Sequence, residues 1–207
     1  PDPTADLAWL RDYQRAAVDK IVARKRGILH LPTGAGKTEC MVALTRALPC
    51  KWLALVHRSQ LADDIASRYE KRSPGVRAGR VLEGRWDAFD DSTLICATYQ
   101  SINAALKRGA QHGPGDPAYL RVTALLDDVG GVMCDEVHTV PSETFFRTVQ
   151  MTRRAYYRVG LSGTPLARGD RKSMFAIAAT GPVVYRVRSQ LLIDRGVLAK
   201  PTVRLLT

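Results

Sequence analysis

The 207-residue chain predicts an α/β domain built on a largely parallel sheet with helices on both faces, and three observations carry that expectation. Short β-branched or apolar runs alternate with longer helical patterns along the whole chain, the signature of parallel strands joined by crossover helices. Each glycine-rich or acidic cluster falls at the C-terminal end of one of those runs, where open parallel sheets bind their ligands. The length suits one substantial core, and 45% hydrophobic with 25% charged residues is the composition of an ordinary globular domain.

Taken in order, strands are expected near 27–31, 52–57, 93–97, 131–135 and 157–161. Helical periodicity runs from Thr38 to Leu48 and from Ser59 to Arg72, and a further helix starts over Ser101 to Lys107. From Lys107 to Pro117 the chain holds Gly109, Gly113, Pro114, Gly115 and Pro117, which predicts an exposed, mobile loop. Lys107, Arg108, His112 and Arg121 beside it either touch a phosphate backbone or are simply solvated. No internal repeat or low-complexity tract interrupts the pattern, so residues 1–207 are expected to form a single domain.

Thirty-one Lys and Arg against twenty Asp and Glu give a formal net charge of +11, which favours a polyanionic partner through phosphate contacts and counterion release. A basic surface kept for solubility is the competing account of charge alone. Cys40, Cys50, Cys96 and Cys134 form no Cys-x-x-Cys pair, and three of them lie in apolar runs. They are expected to be small buried thiols in a reducing compartment. His30, His57, His112 and His138 are too scattered for a zinc pattern. No cationic leader or apolar run of membrane-spanning length is present, so a soluble cytoplasmic or nucleoid-associated protein is expected. A start at Pro1 and an apolar end, Val203-Arg204-Leu205-Leu206, lead us to expect a piece of a longer protein.

The first chemical motif follows the run Gly27-Ile28-Leu29-His30-Leu31 and precedes a helix: Pro32-Thr33-Gly34-Ala35-Gly36-Lys37-Thr38. Glycines let the backbone turn so that successive N–H groups, Ala35 among them, point at one phosphate, and the helix N-terminus adds partial positive charge. Lys37 is placed to reach β- and γ-phosphates and the Thr38 hydroxyl to bind Mg²⁺. The strict pattern has a glycine where this chain has Leu31, but the Gly-x-Gly-Lys-Thr core and its strand-to-helix setting are intact. A second motif ends the run Gly131-Val132-Met133-Cys134: Asp135-Glu136-Val137-His138. Adjacent acids at a strand end divide the work, with Asp135 holding Mg²⁺ through its water shell and Glu136 orienting and deprotonating an attacking water.

Together these motifs resemble the first RecA-like domain of superfamily-two DExH-type helicases and translocases, a P-loop nucleotide-hydrolase fold. Further matches cover nearly the whole chain in family order. Leu10-Arg11-Asp12-Tyr13-Gln14 resembles the Q-type motif, which implies that Gln14 reads the adenine edge and Arg11 assists. Val56-His57-Arg58-Ser59-Gln60-Leu61 resembles motif Ia and Ala97-Thr98-Tyr99-Gln100-Ser101 motif Ic. These imply that Arg58, Ser59, Gln60, Thr98, Gln100 and Ser101 line the path of a nucleic-acid strand. Leu161-Ser162-Gly163-Thr164-Pro165 resembles motif III, implying that Ser162 and Thr164 couple with His138 across adjacent strands.

The chemistry of the residues is compatible with these roles. Gln14 offers the donor and acceptor that an adenine edge needs, and strand ends or helix starts can hold phosphates without reading sequence. For Arg58 a solvated helix start, and for Thr98 and Ser101 helix capping, are the plainer alternatives. The Asp-Glu-Val-His and Leu-Ser-Gly-Thr-Pro pattern is more similar to the repair, branched-DNA and restriction-translocase groups than to DEAD-box RNA helicases. The resemblance therefore implies ATP and Mg²⁺ as cofactors and nucleic acid as partner, DNA ahead of RNA. A nucleotide-switched binding module and a small-molecule kinase are the competing classes. Leu191 to Pro201 resembles the helix and turn that close the family's first domain and lead onward, yet no second RecA-like domain and no Gln-x-x-Gly-Arg-x-x-Arg-like motif is found in the chain. An arginine finger supplied from outside raises turnover in related sites by ~10³–10⁵, so slow hydrolysis by this chain alone is expected.

Overall fold

A computed structural model describes residues 6–87, 91–137, 142–164 and 171–201. In chain order the elements are α1 (Asp12–Arg24), β1 (Arg26–His30), α2 (Lys37–Ala47), β2 (Trp52–Val56), α3 (Ser59–Arg72), β3 (Gly79–Leu82), β4 (Arg85–Asp87) and β5 (Leu94–Thr98). They continue as α4 (Tyr99–His112), α5 (Pro117–Asp128), β6 (Gly131–Cys134), α6 (Ser142–Met151), β7 (Tyr157–Ser162), α7 (Arg171–Thr180), β8 (Val183–Arg186) and α8 (Ser189–Asp194).

Among the described residues the strands form one sheet in the order β4-β3-β5-β2-β6-β7-β1-β8. Every pairing is parallel except β3 with β4. The five apolar runs read from sequence are β1, β2, β5, β6 and β7, the adjacent inner strands, whose uninterrupted hydrophobicity reflects burial on both faces. Along β2, Trp52, Ala54 and Val56 point into a core shared with α1, α2 and α3, while Leu53 and Leu55 point into a second core with α4, α5 and α6. Both cores are close to fully dry, so the sheet is a rigid platform between two helical layers.

The loop expected from Lys107 to Pro117 is mostly not a loop. The α4 helix runs to His112, and α5 begins at Pro117 with Asp116 as its N-cap, accepting from the N–H groups of Ala118 and Tyr119 at 3.0 and 3.1 Å. Gly109 sits inside α4 because a Cβ there would lie 2.3 Å from the Tyr119 ring; it marks close packing of an antiparallel helix pair. Arg108 makes a two-pronged ion pair with Asp116 across the short turn that remains, at 2.7–3.0 Å, and so braces the hairpin. The expected closing helix near Leu191 appears as α8. It is tied to the chain start by Arg195 Nη1 on Asp12 Oδ2 at 2.7 Å.

Three short strands, β3, β4 and β8, escaped the sequence reading. β3 and β4 form an antiparallel hairpin pairing Val81 with Trp86 and Leu82 with Arg85. Its two-residue turn, Glu83-Gly84, has φ of +48° and +80°, the left-handed pair that a tight hairpin turn needs. Cys40, Cys96 and Cys134 are buried free thiols pushed up to about 12 by burial, as expected; Cys50 is half-buried and raised to about 11. No described helix is long and apolar enough to cross a membrane.

Candidate nucleotide site and strand groove

The loop between β1 and α2 turns through Gly34 and Gly36, both in left-handed backbone at φ +81° and +80°. The N–H groups of Thr33, Gly34 and Gly36 find no acceptor among the described residues, while Ala35 N–H turns back to the Pro32 carbonyl at 3.0 Å. Free donors gathered before a helix N-terminus are the makings of an anion cradle. The Ala35 carbonyl is held from behind by the Tyr13 hydroxyl and the Gln14 amide, each at 2.9 Å.

Gln14 is buried, and its Oε1 accepts from Arg11 N–H at 2.9 Å. Both ends of the Gln14 amide are therefore engaged by the chain itself, and an adenine meets it only by exchanging one of those bonds. Exposed Arg11 precedes α1 and places Nη1 3.3 Å from the Tyr13 hydroxyl.

Across the sheet edge, two strands away, Asp135 and Glu136 leave β6. Glu136 takes a left-handed φ of +48°, uncommon for a residue with a side chain, and this turns its carboxylate toward α2. Lys37 Nζ reaches Glu136 Oε1 at 2.5 Å, with side chains only 11% and 17% exposed. Gly163 N–H donates to Glu136 Oε2 at 3.2 Å, closing the acid between β1 and β7. A Cβ on Gly163 would lie 3.0 Å from Thr33 Oγ1 and 3.1 Å from Lys37 Nζ, so motif III presses directly on the phosphate loop.

Asp135 is buried, and that desolvation raises its pKa above the ordinary carboxylate value; the Lys37 charge opposes the shift. A half-buried Thr38 hydroxyl in the first turn of α2 and a buried carboxylate fit one hard divalent ion that keeps water and phosphate oxygens as its other ligands. Among the described residues no cluster of three His, Cys, Asp or Glu forms a protein cage for a metal.

Ser162 is buried at the end of β7 and donates its hydroxyl to the Thr164 carbonyl at 2.8 Å. Thr164 is exposed, and His138 lies outside the described residues.

The residues expected on a nucleic-acid path gather elsewhere on the same edge. Arg58, Ser59, Thr98, Gln100 and Ser101 line one cavity of about 750 Å³ above β2, β5 and β3. Gln60 is exposed and does not line it. Thr98 caps α4, accepting from Ser101 N–H at 3.1 Å, so the capping alternative holds for that residue. Ser101 Oγ accepts from Glu83 N–H at 2.9 Å, and Ser59 Oγ donates to Glu83 Oε1 at 3.0 Å. Gln100 Nε2 donates to the His57 carbonyl at 3.2 Å, joining the starts of α3 and α4. The cavity also takes in Val81, Glu83, Trp86 and Arg108, none singled out as site residues from sequence. Only the basic charge of Arg108 had signalled a possible contact.

An open parallel sheet with a glycine-rich anion cradle, a facing acid pair and a strand groove along one carboxyl edge defines a P-loop nucleotide-hydrolase domain of the helicase kind. The chain belongs to the family described as "Type III restriction enzyme, res subunit", whose pattern matches residues 8–167.

Among relatives, it is 33% identical over 184 residues to the "DNA 3'-5' translocase XPB2" of Sulfurisphaera tokodaii, covering 87% of this chain and 36% of that one. It is 30% identical over 182 residues to the "DNA 3'-5' helicase XPB" of Mycobacterium tuberculosis, covering 85% and 30%. The chain thus spans about a third of the length of these curated relatives. In fold it is similar to the UvsW helicase of bacteriophage T4, with a TM-score of 0.68 at 20% identity over 84% of this chain and 59% of that one.

Proposed function

We propose that this chain is the ATP-binding motor domain of an ATP-dependent DNA helicase or translocase. The observation that carries the reading is the Lys37–Glu136 contact, which brings the phosphate loop and the acidic motif, far apart in sequence, to one point closed by Gly163. On this reading Thr33, Gly34 and Gly36 to Thr38 cradle the phosphates while Ala35, expected among them, shapes the turn through its bond to Pro32; Lys37 neutralises the γ-phosphate, and Thr38 with Asp135 hold Mg²⁺. The ion, when bound, offsets phosphate charge. Glu136 orients and deprotonates the attacking water once Lys37 has turned to the nucleotide. Arg11 and Gln14 border the adenine end, and Ser162 and Thr164 act with His138 as the coupling element.

Arg58, Ser59, Gln60, Thr98, Gln100 and Ser101 hold a strand by its phosphates. Relatives named as DNA helicases and translocases favour DNA over RNA for this chain. We further propose that residues 1–207 act as one RecA-like unit in an intracellular parent chain, with residues from about 190 leading toward a second such unit that completes the ATP site.

The reading is tested by binding of a labelled ATP analogue with Mg²⁺ to the wild type and to Lys37→Ala, with and without single-stranded DNA. The expected result is saturable binding that Lys37→Ala weakens at least about ten-fold, slow turnover by the chain alone, and DNA association that falls steeply with salt. Unchanged nucleotide affinity in Lys37→Ala overturns the phosphate-loop assignment and the function with it.

A further inference from the structure

The strand groove is more apolar than phosphate contacts require. Its polar side is formed by Arg58, Ser59, Thr98 and Ser101 at the starts of α3 and α4, with Glu83 held by Ser59 and Ser101 beside them. Its wall is apolar: Val81 and Trp86, cross-strand partners on one face of the β3–β4 hairpin, face the cavity with Ala104 and Ala105 of α4. Small alanines opposite an indole leave a recess of about 750 Å³, within the range that buries a nucleoside-sized ligand. Phosphates alone are held by surface donors and need no such recess.

The occupant must carry an anion for the polar side and a flat apolar face for the wall. A nucleotide joins both within one residue, and the chain's +11 charge suits a polyanionic strand.

We propose that the cavity between the β3–β4 hairpin and α4 receives one unstacked base of the bound strand, with Trp86 as its stacking partner. The proposal rests on the strand-binding reading of Arg58, Ser59, Thr98 and Ser101 and adds a base subsite to it. It makes the bound strand locally single-stranded, because a base paired in a duplex cannot enter the recess.

Fluorescence isolates the site. Of three tryptophans, Trp52 is fully buried and Trp9 is flanked by Arg46 and Arg72 at 5.2 and 4.9 Å, so Trp86 alone faces the groove. In a Trp9→Phe background the chain is titrated at low salt with a DNA strand of about a dozen nucleotides, and with the same strand made abasic throughout. The expected result is quenching of Trp86 emission by the normal strand only. Trp86→Ala weakens the normal strand roughly ten-fold, leaves the abasic strand unchanged, and Trp86→Phe restores most of the loss.

Equal, salt-sensitive affinity of the wild type for both strands overturns the base subsite while leaving the strand-binding reading intact. That comparison needs no variant and survives any misfolding of Trp86→Ala. Failure of both strands to bind overturns both readings.

Discussion

A methyl group at Gly36 would lie 2.3 Å from Gln14 Nε2, in backbone that is already left-handed. Gly36→Ala is therefore expected to break the Gln14–Ala35 brace and weaken nucleotide binding at least about ten-fold, while the melting transition stays cooperative. Titration of the ATP analogue alongside a thermal melt separates the two effects. Asp135 is expected to show the opposite balance. Its folded-state pKa is raised above the ordinary 3.8, so its contribution favours the native state below that value and is lost as pH rises through the folded value. The charged form of this buried carboxylate is a cost to the fold. Asp135→Asn keeps an oxygen for the Glu136 N–H, now bonded at 3.0 Å, and removes the charge. It is expected to stabilise the nucleotide-free protein by about 1 kcal/mol, raising the melting midpoint by about 2–4 °C, while abolishing Mg²⁺-dependent nucleotide binding. A lowered midpoint counts against the burial argument.

At the scale of elements, the α4–α5 hairpin depends on Asp116, which caps α5 and pairs with Arg108. The Arg108 guanidinium first, and the α5 backbone donors after it, hold the Asp116 carboxyl down to about 2. Its stabilisation is full above the ordinary value of 3.8 and drains away as pH falls toward about 2. Hydrogen exchange of α5 amides is expected to accelerate over that window in the wild type and to be fast already at pH about 5 in Asp116→Ala. Glu83, at the β3–β4 turn, takes the Ser59 hydroxyl that a strand phosphate would seek, so Glu83→Gln is expected to tighten single-stranded DNA several-fold, with the gain shrinking as salt rises. The elements themselves explain what was legible in the sequence. Inner strands announce themselves as unbroken apolar runs, whereas β3, β4 and β8 sit toward or at the sheet margins, are three or four residues long, and carry Arg80, Arg85 and Arg186. Helix α4 was cut short because Gly109 reads as a breaker in one dimension and becomes a contact only when Tyr119 is set against it. Trp86 was overlooked for a related reason: it stands in a polar hairpin outside any motif, and Ala104 and Ala105, which line the cavity with it, lie on α4.

For the whole molecule, motifs scattered along the chain meet on one edge: the candidate nucleotide residues stand over β6, β7 and β1, and the groove over β3, β5 and β2. Spacing along the sequence made the two sets recognisable but could not place them side by side. Only the strand order, with β2 next to β6, puts His57 at the seam between them. On the proposed reading, a molecule of net charge +11 with a phosphate site and a strand groove on one edge faces a problem of selectivity, since any polyphosphate backbone nearby competes for both. The closed Lys37–Glu136 pair answers it. A phosphodiester offers one negative charge per unit and must displace a carboxylate already in contact, whereas the terminal phosphates of a nucleotide arrive with several charges focused on one ammonium. The acid thus screens its own lysine from the strand. Glu136→Gln is expected to remove that screen, so that single-stranded DNA begins to compete with the ATP analogue at low salt. On the proposed reading, the resting ion pair is a filter by charge density that keeps the nucleotide site clear of the strand beside it.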